Sequence, residues 1–201
     1  MYRRPDEIVR RRQLKTIHGE RIAIPDKELL THLQFRRYAG CPVCNLHLRS
    51  IARRHAEIVA AGIREVVVFH SGRETMLEFQ GALPFTAIAD PQFELYREFE
   101  VGRMTAWHAF HPRSWRAAYR ALTRVSSLRG ALGRGEAHMG LPAEFLIGSH
   151  GRILAAKYGR FVDDHWSVDE LLSFARSLTE PEERRKNERT TNFRRAGLPR
   201  R

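Results

Sequence analysis

Cys41 and Cys44 stand three residues apart in the segment Gly40-Cys41-Pro42-Val43-Cys44, and they are the only cysteines in the 201-residue chain. Thiols at positions i and i+3 of a helical turn share a face, so their sulfurs can meet and form a disulfide. A helix N-terminus carries unpaired N–H groups and partial positive charge, which favour a thiolate over a thiol. The thiolate is the reactive species. Pro42 suits the first helical position, where its missing N–H costs nothing. Arg36 and Arg37 are close in sequence and add to this effect if either side chain turns toward the sulfurs. By the helix-terminus argument Cys41, at the cap, is expected to be the more exposed and more acidic thiol. Two other uses of the pair stay open. Structural zinc wants four ligands and the pair supplies two, with His47 poorly placed on the same helix. Two inert buried thiols are the other. A Cys-x-x-Cys between a strand and a helix in an alternating pattern favours redox chemistry over both.

The elements around the pair read as follows. Residues 17–24 alternate as a short strand, and 32–38 as another with Leu33, Phe35 and Arg37 on one face. A helix runs from Pro42 to about Ala61, with Leu46, Ile51, Ile58 and Val59 as candidate buried positions, and stops at Gly62. The run Val66-Val67-Val68-Phe69 marks a strand buried on both faces of a parallel sheet. A short helix over 74–80, a strand over 85–89 and a helix over 92–100 follow. Residues 102–140 read as an insertion. Residues 144–147 and 152–158 are two strands joined as a hairpin by Gly148-Ser149-His150-Gly151. Ser167 is a candidate N-cap, with Glu170 at the capping-box position, for a last helix ending near Leu178. The fold class is α/β: a mixed central sheet with helices on both faces and an insertion before a terminal β-hairpin. That element order resembles the thioredoxin-like fold.

The net charge of +12 is concentrated at the ends. Residues 1–15 hold six basic and two acidic side chains, and residues 180–201 hold eight and four. These segments are expected to be a basic N-terminal arm and a basic C-terminal tail around a redox domain over 16–179. Such ends can touch nucleic acid or an anionic membrane surface electrostatically, and the plainer reading is solvated tails. The apolar runs fall far short of the ~20 residues of a membrane span, and Met1 to Glu7 lack the apolar stretch of a secretory signal. A cytoplasmic protein with no membrane span is expected. The ten histidines are scattered, and each reads as a surface or satisfied residue. No Gly-rich phosphate loop with a following Lys-Ser/Thr and no Gly-x-Ser-x-Gly elbow is present. No cofactor and no metal are expected.

The stretch from Leu33 to Cys44, LQFRRYAGCPVC, resembles the peroxiredoxin-like branch of the alkyl hydroperoxide reductase/thiol-specific antioxidant family, including selenoprotein L-type redox proteins. Three further blocks agree in order: Val66 to Ser71, Leu83 to Pro91, and Gly140 to Ile147 with Gly151-Arg152-Ile153. The resemblance implies a thioredoxin-like fold over about residues 16–178. It also implies that Pro142 sits where thioredoxin-like proteins keep a cis-proline beside the disulfide; from the residues alone Pro142 reads as an ordinary trans proline at a strand start. There are departures. Peroxiredoxins are similar to a Thr-x-x-Cys pattern with a distant arginine near the thiolate. Here Cys41 takes the threonine position and Pro142 the arginine position. That alignment matches Cys44 to the peroxide-reacting cysteine, against the helix-terminus argument for Cys41.

The reading is therefore a thiol-disulfide oxidoreductase acting through Cys41, Cys44 and Pro142 on a protein disulfide or a peroxide, with an external thiol reductant of thioredoxin or glutathione type. The alternative is a redox-sensing or nucleic-acid-associated module driven by the basic ends. The reading requires a reversible internal disulfide. Mild oxidation should remove two hydrogens from the intact mass, and dithiothreitol should restore them; thiols that stay free would sink it.

Overall fold

The computed structural model of the protein describes residues 3–102 and 140–178. Valine and isoleucine dominate Ile63–Phe69, and this run forms β4, an almost wholly buried interior strand of the chain's main sheet. β3 (Leu30–Phe35) pairs with it in parallel on one side, and β5 (Thr86–Ala89) on the other. β6 (Ala143–Ile147) runs antiparallel to β3, and β7 (Ile153–Tyr158) antiparallel to β6. The order is β5-β4-β3-β6-β7. The helices are α1 (Pro42–Arg53), α2 (His55–Ala60), α3 (Arg73–Gln80), α4 (Glu94–Glu98) and α5 (168–178). A mixed sheet with helices on both faces is the expected α/β, thioredoxin-like architecture.

The two-residue period of the strands sorts the core into two faces. Leu33, Phe35, Val66, Val68, Phe145 and Ile147 form one, packed against Leu95, Tyr96 and Phe99. Val67, Phe69 and Leu146 lie on the other, under Leu48 and Ile51 of α1, Met76 of α3 and Leu171 and Ala175 of α5. Ser167 and Glu170 form the expected capping box at α5: the Ser167 N–H donates to the Glu170 carboxylate at 2.7 Å, and the Glu170 N–H to Ser167 Oγ at 3.2 Å.

Three expectations change. Residues 17–24 are not one strand. β1 (Arg12–Lys15) and β2 (Arg21–Ile24) pair as a separate antiparallel ribbon, and Ile17 is buried in the turn between them. The helix from Pro42 breaks at Arg54, whose φ of −110° and ψ of 18° leave the helical region, so that α1 and α2 are distinct. The third concerns the N-terminal stretch, which is not a loose arm. The N–H groups of Asp6 and Val9 donate to the carbonyls of Ile153 and Gly151, both at 2.8 Å, and the Ile153 N–H donates back to Glu7. Val9 is buried in the core, because an apolar side chain set among arginines still gains by leaving water. Gly151 permits this approach: its φ is +84°, and a Cβ there would lie 2.4 Å from the Val9 carbonyl oxygen. The insertion, apart from its two end residues, and the tail over 180–201 lie outside the described residues.

Docking of the N-terminal stretch has a measurable consequence. Truncation of residues 1–11 should lower the thermal midpoint clearly, and Val9→Ala alone should cost about 1–2 kcal/mol. Circular dichroism melts decide it; an unchanged midpoint in both would mean that the stretch adds nothing to stability.

Candidate active site

β3 ends at Phe35, and six residues later the chain enters α1 through Cys41. This connection is held at several points. The Arg36 N–H donates to Val68 O at 2.9 Å, and the Tyr96 hydroxyl donates to the carbonyl of Arg36. The Ala39 N–H donates to Ser71 Oγ at 2.8 Å. The Ala39 carbonyl accepts from Gln80 Nε2 at 2.5 Å and from Asn45 Nδ2 at 3.2 Å. The Cys41 N–H closes a turn onto Tyr38 O at 3.0 Å. Cys41 is the N-cap of α1: its sulfur accepts the N–H of Cys44 at 3.4 Å, with Pro42 at the first helical position.

The sulfurs of Cys41 and Cys44 lie 2.9 Å apart as free thiols, against the ~2.05 Å of a disulfide bond. Both residues are buried, Cys41 at 1 % exposure and Cys44 at 0 %. Cys41 is thus not the exposed, acidic thiol that its cap position suggests. Burial pushes its thiol well above the ordinary value, and the hydrogen bond shared with Cys44 acts the same way. Burial pushes Cys44 up as well. There it is outweighed by the hydrogen bond shared with Cys41, the Arg37 charge, the Arg37 backbone N–H and the Arg36 charge, which together bring the thiol down to about 7. Arg36 and Arg37 therefore act on the sulfurs, as their nearness in sequence suggested: Arg37 on both, and Arg36 on Cys44.

Pro142 is buried at the start of β6, one residue beyond the Phe35–Ala143 pair. Its carbonyl accepts the Gly159 N–H at 2.8 Å. Among the described residues the only cis peptide bond is Ile24–Pro25, so the bond before Pro142 is trans. The expected cis-proline is corrected: the intrinsic trans preference of ~0.5–1 kcal/mol holds here. His47 does not turn toward the cysteines. Its ring stands 4.3 Å from that of His165, and its Nε2 is 3.8 Å from Glu144. No group of three or more His, Cys, Asp or Glu side chains among the described residues is arranged to hold a metal ion.

The polar residues that sequence reasoning missed lie on the sheet face beneath α1. His32, Gln34 and Arg36 alternate with Leu33 and Phe35 along the chain and point to the opposite face. Arg36 is fully buried. It donates to Gln34, to His165 and, at 2.5 Å, to Glu144 of β6. Gln34 in turn donates to Glu65, which His32 Nδ1 meets at 2.9 Å. The Trp166 N–H donates to the other Glu144 oxygen at 2.5 Å. The signal for this cluster was the alternation itself, since Gln34 and Glu144 are register partners. Sequence alone does not say that the polar face of these strands is covered.

The model for the AhpC/TSA antioxidant enzyme family matches residues 50–160, more than half of the chain. The chain belongs to that family. The matched stretch begins after both cysteines, so the pair itself stands on the geometry above. No curated protein matches the sequence. Solved structures show the same fold. Peroxidoxin BcpB from Mycobacterium tuberculosis is 14 % identical with a TM-score of 0.64, covering 87 % of this chain and 97 % of its own. The reduced 2-Cys peroxiredoxin of Plasmodium vivax is 10 % identical at 0.64, over 90 % and 84 %. A protein described as the thiol:disulfide interchange protein DsbE of Chlorobium tepidum is 18 % identical at 0.53, over 87 % and 99 %. A family of antioxidant enzymes agrees with thiol chemistry at the pair. No helix among the described residues is long and apolar enough to cross a membrane.

The split between the two thiols is directly testable. Limited alkylation of the reduced protein near pH 7, followed by peptide mapping, should label Cys44 ahead of Cys41. Label appearing first on Cys41 would restore the helix-terminus assignment.

Proposed function

We propose that this AhpC/TSA member is a thiol-dependent peroxidase in which Cys44 attacks and Cys41 resolves. The observation that carries the reading is one acidified sulfur, Cys44, held 2.9 Å from a second thiol that keeps its proton. The Cys44 thiolate attacks one oxygen of a hydroperoxide; the O–O bond breaks, Cys44 becomes a sulfenic acid, and the departing alkoxide takes a proton to leave as an alcohol. The Cys41 sulfur then displaces the hydroxyl from Cys44. An S–S bond forms, the Cys41 proton and that hydroxyl leave as water, and the pair has given up two electrons. An external thiol reductant, of thioredoxin or glutathione type, returns both thiols by exchange.

Burial of both sulfurs favours a small hydroperoxide over a protein disulfide, because a polypeptide substrate needs an open path that a peroxide does not. Pro142 enters this reading only as the residue that precedes β6. The alternative module driven by basic ends loses support from the N-terminal stretch. Arg12 pairs with Glu98, and Arg3 and Arg11 donate to backbone carbonyls, so these charges are engaged within the fold.

Peroxide consumption with an external reductant tests the reading. Cys44→Ser should abolish turnover, while Cys41→Ser should leave one oxidation event and a sulfenic acid on Cys44 that dimedone captures. Adduct on Cys41 in the opposite variant, or turnover with disulfides and none with peroxide, would reassign the reaction to disulfide exchange.

A further inference from the structure

The described residues contain a second concentration of charge that the reaction above does not use. Glu144 is fully buried on β6, flanked along its own strand by Ala143 and Phe145. A carboxylate taken out of water costs several kcal/mol unless it is well partnered, and an apolar side chain of similar size fills the same space without that cost. Its cross-strand neighbours are Gln34 of β3 and Lys157 of β7, with Leu146 next on the same face of its own strand. Glu144 accepts from Arg36 at 2.5 Å and from the Trp166 N–H at 2.5 Å, so both oxygens are held.

The placement of these groups relative to the thiols suggests a role. His47 follows Cys44 by three residues on α1, and its ring nitrogen is 3.8 Å from the Glu144 carboxylate. Arg36 shares His165 with that corner. The Arg36–Glu144 pair thus sits under the first turns of the helix that carries Cys44. We propose that Glu144 is a positioning residue for the thiol pair: it fixes the Arg36 guanidinium against α1 and sets how much of that positive charge acts on the Cys44 sulfur. The inference deepens the redox reading of Cys41 and Cys44 and rests on it.

The surrounding groups leave this pair in control. Burial, with Arg36 nearby, keeps His47 and His165 well below their ordinary values and so neutral. Burial, with Cys44 close by, keeps Tyr96 of α4 well above its own, also neutral. Lys157 of β7 is paired with Asp164 at 3.0 Å, and Glu65 of β4 with His32 at 2.9 Å. Arg37 and Arg36 remain as the charges that favour a Cys44 thiolate. Glu144 opposes the second of them.

The test uses the full chain in a Cys41→Ser background, where Cys44 is the only thiol, and follows thiolate absorbance against pH. Glu144→Gln keeps the shape and an acceptor for Arg36 but removes the negative charge. It should raise the thiolate fraction at mildly acidic pH about twofold, and Arg36→Gln, which removes the nearer charge, should lower it by a larger factor of about tenfold. Glu144→Asp should stay near the parent value. A merely structural pair would lower the melting midpoint in these variants and leave the titration where it was, which overturns the proposal. Should the single variants not fold, the paired Arg36→Gln/Glu144→Gln change leaves neither partner as an unpaired buried charge, and it must shift the titration upward. An unmoved titration there, or loss of folding in it too, also overturns the proposal. The peroxidase reading is judged separately: the titration can shift as stated in a chain that consumes no peroxide, and peroxide can be consumed with the titration unmoved.

Discussion

A guanidinium shut away from water demands acceptors and negative charge, and Arg36 imposes that demand at the heart of this molecule through its two terminal nitrogens. Its head accounts for the buried Glu144 on β6 and for Gln34 beside it. Its backbone is fixed as firmly: the N–H reaches Val68 of β4, and the carbonyl receives the Tyr96 hydroxyl. The chain therefore leaves the sheet from a fixed point. Ser71, Asn45 and Gln80 then hold Ala39, and Cys41 arrives at the cap of α1 with little freedom left. Breaking a buried charge pair of this kind by removing one partner typically costs ~3–5 kcal/mol, so the site and the stability of the sheet share a foundation.

The two thiols differ through competition between effects of similar size. The favourable field at a helix N-terminus is worth about 0.3–1 kcal/mol at an exposed position and about 2 kcal/mol in a partly buried one. Full burial of Cys41 exceeds that, and the hydrogen bond it shares with Cys44 pushes the thiol further up. Cys44 is equally buried, yet it collects the other end of that hydrogen bond together with two arginine charges. Position on the helix is therefore a poor guide here, and the electrostatics of the strand–helix connection is a better one.

What was legible in the sequence was local. The Val66-Val67-Val68-Phe69 run, the Gly148 to Gly151 hairpin and the Ser167–Glu170 box each depend on neighbours a few residues away, and each stands where the pattern put it. The Cys-x-x-Cys at a helix start is of the same kind. The buried polar face was not legible, because alternation along Leu30–Phe35 shows two faces and cannot say that α1 and α5 cover the polar one. Glu144 fell within what read as an apolar strand, and nothing adjacent to it in sequence announces Arg36. The N-terminal stretch was obscured by its own composition: arginines dominate residues 3–12, while Val9 and Leu14 supply the contacts that dock it.

That stretch does more than add contacts. It bonds to β7 through Asp6 and Glu7 and to the turn before it through Val9, and eight residues later the Ile17 N–H donates to Ala87 of β5 at 3.0 Å. Strands β7 and β5 are the two margins of the sheet. One short piece of chain thus passes across the molecule and occupies backbone groups on both open edges. An unpaired edge is a template for another chain's strand and a starting point for aggregation. The arginine-rich stretch therefore serves as a clasp, and a chain nicked within it would free the β7 margin while Ile17 still held the β5 one.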